Sequence, residues 1–111
     1  MNRPIKFRVW HKKFKQWWGI ICLNEPILSY DVDNLVFVQY TGCHDSSKNE
    51  IYEGDIVQYN NGDVIRIGYV GFMAGIFFLN YPDETDDELG YLLVSNLKVI
   101  GNIFEHSELL K

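Results

Sequence analysis

Residues 5–9, Ile5-Lys6-Phe7-Arg8-Val9, alternate apolar and polar side chains with period two. That pattern predicts a half-buried strand, with Ile5, Phe7 and Val9 facing inward and Lys6, Arg8 and Trp10 facing outward. Residues 11–16 are polar apart from Phe14 and predict a turn. The apolar run 17–23 then returns as a second strand, so residues 4–23 predict a hairpin. Asn24-Glu25-Pro26 ends it, because proline removes a ladder donor. Residues 35–40 predict a third strand and residues 55–59 a fourth. Asn61-Gly62 sits between apolar runs and signals a tight hairpin into a fifth strand over 64–72. There Ile65, Ile67 and Tyr69 share one face, and Gly68 and Gly71 permit sharp coiling. A sixth strand follows over 75–80 and an acidic loop over 83–88. A short strand is expected over 91–94, a single helical turn at Ser95-Asn96-Leu97 with Ser95 as its cap, and a last strand over 98–105.

This order predicts a mainly β protein. Residues 51–105 read as an SH3-like, partly open barrel whose closing strand follows a one-turn helix. The N-terminal hairpin is an extension of it. A five-stranded barrel of the oligonucleotide-binding type is the alternative and would carry a longer helix between strands. The 111 residues fit one domain, with the hairpin and third strand in residues 1–50 and the barrel in 51–111. Aromatic residues make up 15% of the chain, which favours strands over helices.

The stretch Gly42 to Glu50 carries a cysteine, a histidine and carboxylates, which raises the question of a metal or catalytic site. Cys43 and His44 are adjacent, so on an extended chain they point opposite ways. The other histidines and Cys22 lie elsewhere without paired spacing, which does not suit zinc. Neither this stretch nor the acidic loop has the alternating oxygen pattern of a calcium loop. Asp45, Ser46, Ser47 and Asn49 are turn formers, and Glu53-Gly54-Asp55 is a second turn in which Asp55 can accept amide hydrogen bonds. The stretch therefore predicts a chain reversal, with no metal and no cofactor. No nucleophile elbow, phosphate-cradling loop or dinucleotide fingerprint is present, so a non-enzymatic role is expected.

The net charge of −5 hides a division. Residues 1–24 carry six basic and no acidic residues (+6), whereas residues 25–111 carry four basic and fifteen acidic ones (−11). The basic arm interleaves lysine and arginine with tryptophan. Its candidate partner-binding residues are Lys6, Arg8, Trp10, Lys12, Lys13, Trp17 and Trp18. Tryptophan is enriched in protein interfaces, and adjacent Trp17 and Trp18 must face opposite sides of a strand. A protein partner or a second copy of the chain fits this arm. Nucleic acid is the alternative, opposed by the overall negative charge. No membrane is expected as a partner, since the longest apolar stretch falls well short of a bilayer span. With no signal-peptide core at the start, a reducing compartment and free thiols at Cys22 and Cys43 are expected.

Three blocks then carry a family likeness: RPIKFRVW with following lysines and tryptophan, FVQYTG followed by EIYEGDIV, and VIGNIFEHSELL. In that order they resemble the YopX-like proteins of phages and prophages, from near residue 3 to residue 110. The central block is the most specific, with Val99-Ile100-Gly101-Asn102-Ile103 close behind. The chain departs from the family pattern at His11, where an acid is usual, and at Ser47-Lys48, where Asn-Gly is common. It also departs at Phe104 and Ser107, where tyrosine and proline are common. The resemblance implies a phage or prophage origin, a mostly β fold and the cytoplasm of a bacterial host. It supplies no catalytic residues.

Overall fold

The structure, a computed structural model, describes residues 5–22 and 32–111. Among the described residues nine strands form in chain order: β1 Lys6–His11, β2 Gln16–Cys22, β3 Leu35–His44, β4 Glu50–Tyr52, β5 Asp55–Asn60, β6 Ile65–Met73, β7 Ile76–Asn80, β8 Asp86–Glu88 and β9 Leu97–Asn102. Four short 3-10 turns, at Val32–Asn34, Leu89–Tyr91, Val94–Asn96 and Ser107–Leu110, are the only helical elements among the described residues.

The strands make two antiparallel sheets, ordered β2-β1-β3-β4 and β8-β7-β6-β5-β9. In the second sheet four strands run as a meander and β9 returns to pair with β5, from Asp55↔Asn102 to Tyr59↔Leu97. A helical turn at Val94–Asn96 precedes that closing strand. This is the SH3-like, partly open arrangement read from the sequence, and the barrel does not close. Ile51, Val57, Val70, Leu79, Tyr81, Leu89 and Leu97 form its core. Ile51 comes from β4, so the first sheet contributes to the core of the second. The half-buried thiol of Cys43 packs on the same cluster and is free.

Several expectations need correction. The face of β1 bearing Lys6, Arg8 and Trp10 is not an outer face. β1 lies between β2 and β3, and Val9, Trp10 and His11 are all buried. A bulge at Val9/Trp10 opposite Trp18 helps to bury both faces at this point. In β6, where alternation left open which face is inward, Gly68 and Val70 are buried while Ile65 and Tyr69 are exposed. Gly68 serves a close approach rather than a bend: a Cβ there would lie 2.4 Å from the carbonyl oxygen of Asn80. The acidic loop contributes β8, paired with β7 through Phe78↔Glu88 and Asn80↔Asp86. Residues 91–94 form no strand. The helical turn begins at Val94, one residue before Ser95, and no side chain caps it. The last strand ends at Asn102 rather than at 105. The strand break at Asn24-Glu25-Pro26, Arg3 and the side chain of Cys22 lie outside the described residues.

Candidate functional site: the basic aromatic hairpin

The turn from β3 to β4 is organised by one carboxylate. Asp45 is 1% exposed. Its Oδ1 accepts the backbone N–H of Ser47 (2.9 Å) and of Asn49 (2.8 Å), and its Oδ2 accepts the N–H of Val99 (2.9 Å) and the Asn49 side-chain amide (3.3 Å). Burial raises the Asp45 pKa, but the amides of Val99, Asn49 and Ser47 outweigh it and hold the carboxyl below its ordinary value. Its oxygens are thus taken by N–H donors. Among the described residues, no three His, Cys, Asp or Glu side chains are grouped to hold a metal ion.

The basic arm divides into an inner and an outer part. Inside, the Arg8 guanidinium donates to Asp55 Oδ1 at 2.5 Å and lies over the rings of Trp17 (4.1 Å) and Tyr52 (4.7 Å). Its Nε is buried and meets no acceptor. Asp55 Oδ2 also accepts the N–H of Tyr52 at 2.8 Å, which closes the Glu53-Gly54-Asp55 turn. Burial pushes the Asp55 carboxyl up more than Arg8 and the amide pull it down. Lys6 donates to Glu50 at 2.5 Å and lies over the Tyr40 ring. Burial, with the Glu50 charge behind it, pushes the Tyr52 hydroxyl up to about 12.

Trp10 and Trp17 meet edge to face at 4.9 Å, and Trp10 stacks on Phe104 at 5.5 Å. Trp17 Nε1–H donates to Glu105 at 2.8 Å, and Glu105 also accepts the Asn102 side chain, so both bonds lower its pKa. Arg8, Trp10 and Trp17 therefore join the first sheet to strands and turns of the second, while Lys6 ties β1 to β3 and β4 within the first. This cluster binds the chain to itself.

The outer part is the turn 12–15 and the start of β2. Lys15 holds a left-handed φ of 53°, and its N–H donates to the His11 carbonyl at 2.8 Å. His11 is fully buried. Its Nδ1 accepts the Phe14 N–H at 3.0 Å, and its ring lies between those of Phe14 (4.3 Å) and Trp18 (4.5 Å). Phe14 is 58% and Trp18 48% exposed. Lys12, Lys13 and Lys15 are exposed around them, and none makes an ion pair among the described residues. Of the candidates read from the sequence, only Lys12, Lys13 and Trp18 remain on the surface. Phe14 and Lys15 complete their patch. An apolar residue alone in a polar turn, as in Lys12-Lys13-Phe14-Lys15, was the signal for Phe14.

The acidic segment lies in the other sheet. Asp83 pairs with Arg66 at 3.0 Å, and hydrogen bonds from Thr85 hold its carboxyl low. The Arg66 guanidinium also lies 3.6 Å over Tyr81, whose hydroxyl donates to Asp87. No helix among the described residues is long and apolar enough to cross a membrane.

A family model described as YopX protein matches residues 20–111. The crystal structure of protein EF1440 from Enterococcus faecalis is similar over 99% of this chain and 100% of that one, with 26% identity and a TM-score of 0.71. No curated protein matches.

Proposed function

This chain belongs to the YopX protein family, and from that premise we propose that it is a non-enzymatic protein-binding module that associates with copies of itself. In this reading it serves a phage or prophage as an accessory factor in the cytoplasm of a bacterial host. The observation that carries the reading is the outer part of the hairpin. Phe14, Trp18 and Ile20 expose 58%, 48% and 54% of their surfaces, on or beside an edge strand with no partner on its outer side among the described residues. Exposed aromatic side chains grouped on a strand edge favour contact with another protein.

A second reading is single-stranded nucleic acid, favoured by three lysines beside two exposed rings on which bases could stack. The fifteen acidic residues beyond the arm repel phosphate and place this reading second. Sedimentation velocity over a wide concentration range, with fluorescence titration against labelled single strands and duplexes, separates the two. A mass that rises with concentration, without nucleic-acid binding, is expected. A mass fixed at the monomer refutes self-association. Salt-sensitive nucleic-acid binding that is lost in Lys12→Glu/Lys13→Glu, with mass unchanged, establishes the second reading instead.

A further inference from the structure

We propose that the copies associate by tip against acidic segment. The hairpin tip of one copy, Lys12, Lys13 and Lys15 with Phe14 and Trp18, docks on Glu84, Asp86 and Glu88 of the next. This rests on the self-association proposed above and specifies its geometry.

The tip offers positive charge beside exposed rings. The acidic segment offers the converse. Asp83 is already paired with Arg66, and Asp87 accepts the Tyr81 hydroxyl. Glu84, Asp86 and Glu88 make no ion pair among the described residues. Asp86 and Glu88 pair with Asn80 and Phe78 and so project from the same face of β8. Glu84 stands on the adjoining turn with φ 71°. The turn that follows β8 exposes Tyr91 (83%), and Leu93 just beyond it is 67% exposed. Each surface thus combines charge with apolar area, and the charges are opposite.

Symmetry then restricts the arrangement. An isologous contact brings the same patch of both copies together. Tip against tip would set lysines on lysines, and acid segment against acid segment would set carboxylates on carboxylates; like-charge contacts of this kind are penalised. Tip must therefore meet acidic segment, and two arrangements do this: a two-fold contact in which each tip meets the other copy's acidic segment, or a one-directional contact repeated from copy to copy. Within one copy no ion pair joins them among the described residues. The two-fold contact closes as a dimer, whereas the one-directional contact leaves one tip and one acidic segment open and grows into chains or closes into rings, so the wild-type mass tells them apart.

Neutralised variants test this. Lys12→Gln/Lys13→Gln removes charge from the tip, and Glu84→Gln/Asp86→Asn removes it from the acidic segment. Each alone should sediment as a monomer where the wild type associates. Mixed in equal amounts they should form a dimer and nothing larger, because one intact tip meets one intact acidic segment. A mixture that stays monomeric overturns the contact between tip and acidic segment, as does either variant keeping the wild-type mass. A wild type that is itself monomeric refutes the underlying reading instead. Charge-reversed variants, Lys12→Glu/Lys13→Glu with Glu84→Lys/Asp86→Lys, supply an independent arm. Each should be monomeric alone, and the mixture should regain wild-type association. Circular dichroism melts of every variant verify folding, and loss of wild-type association at high salt is expected whichever variants fold.

Discussion

Asp45→Asn perturbs the β3–β4 turn at its central group. The side-chain shape is kept, but one oxygen becomes an NH2 group. Oδ1 serves the amides of Ser47 and Asn49, and Oδ2 serves Val99 and the Asn49 side chain. Whichever way the new amide points, two N–H donors lose their acceptor. If it keeps the local turn, Val99 N–H faces another donor, and one of the two links from this turn to β9 is lost, leaving the Ser46 N–H bond to the Leu97 carbonyl. A hydrogen bond to a charged group contributes about 1.5–3 kcal/mol, and a buried donor left unsatisfied costs a similar amount. Allowing for relaxation, the loss should be roughly 2–4 kcal/mol. For a chain of this size that lowers the melting temperature by about 10–20 °C. The dependence on pH is a second measure. The folded carboxyl lies below its ordinary value of 3.8, so its contribution is present above that value and is lost as pH falls through the folded pKa. The gap between wild type and variant, followed by circular dichroism melts, should therefore be full at neutral pH and shrink below about pH 4. A variant melting within about 2 °C of wild type at neutral pH, or a gap unchanged in acid, refutes this account.

Gly54 holds φ 87°, and a Cβ there would sit 3.2 Å from Phe104. Gly54→Val should destabilise by roughly 1–3 kcal/mol, whereas Gly90→Ala, with nothing within 4 Å, should leave the melting temperature unchanged. Arg8→Met leaves Asp55 buried without its partner and should cost about 3–5 kcal/mol at neutral pH in urea unfolding. Because the Asp55 carboxyl lies above its ordinary value in the folded chain, it favours folding below that value and loses the contribution as pH rises through the folded pKa. The Arg8→Met deficit should therefore narrow in acid, and a deficit independent of pH would contradict the assignment. Trp10→Ala opens a cavity among Trp17 and Phe104 and should cost about 3–5 kcal/mol in the same assay.

Much of the fold was legible because local pattern and tertiary environment agree. Apolar runs and period-two alternation found β1, β2, β3, β5, β6, β7 and β9 but not the short β4, and Asn61-Gly62 marked the β5–β6 loop. There Asn60 Oδ1 accepts the Gly62 N–H and Asn61 Oδ1 accepts the N–H groups of Asp63 and Val64. The turn at Asp45 was legible for the same reason, as acceptors set beside donors. β8 was hidden because Asp86-Asp87-Glu88 has poor strand propensity, and only pairing with β7 makes it a strand. Residues 91–94 failed in the opposite way. Tyr91 and Leu93 are apolar yet exposed, so they bury no sheet face. In β6, alternation separated Ile65 and Tyr69 from Val70 without saying which set meets the core. In β1 it separated Arg8 from Val9 without showing that a second sheet covers the Arg8 face. The choice of side is a long-range fact, set here by Asp55, which lies 47 residues further along the chain.

That inward turn decides which residues can report on a partner. Substitution at Lys6 or Arg8 removes contacts to Glu50 and Asp55, and charge reversal would set a carboxylate against each. Any change in association would then follow from an altered fold. Exposed Lys12 and Lys13 have no such partners among the described residues, and changes at sites of that kind usually stay within about 0.5 kcal/mol of neutral. A binding defect at Lys12 or Lys13 with an unchanged melting temperature would therefore belong to the surface, whereas the same defect at Arg8 with a lowered melting temperature would belong to the joint between the sheets. The basic arm thus carries two separable roles on one hairpin: holding the fold together, through Lys6 within the first sheet and through Arg8, Trp10 and Trp17 between the sheets, and offering a contact through Lys12, Lys13, Phe14, Lys15 and Trp18.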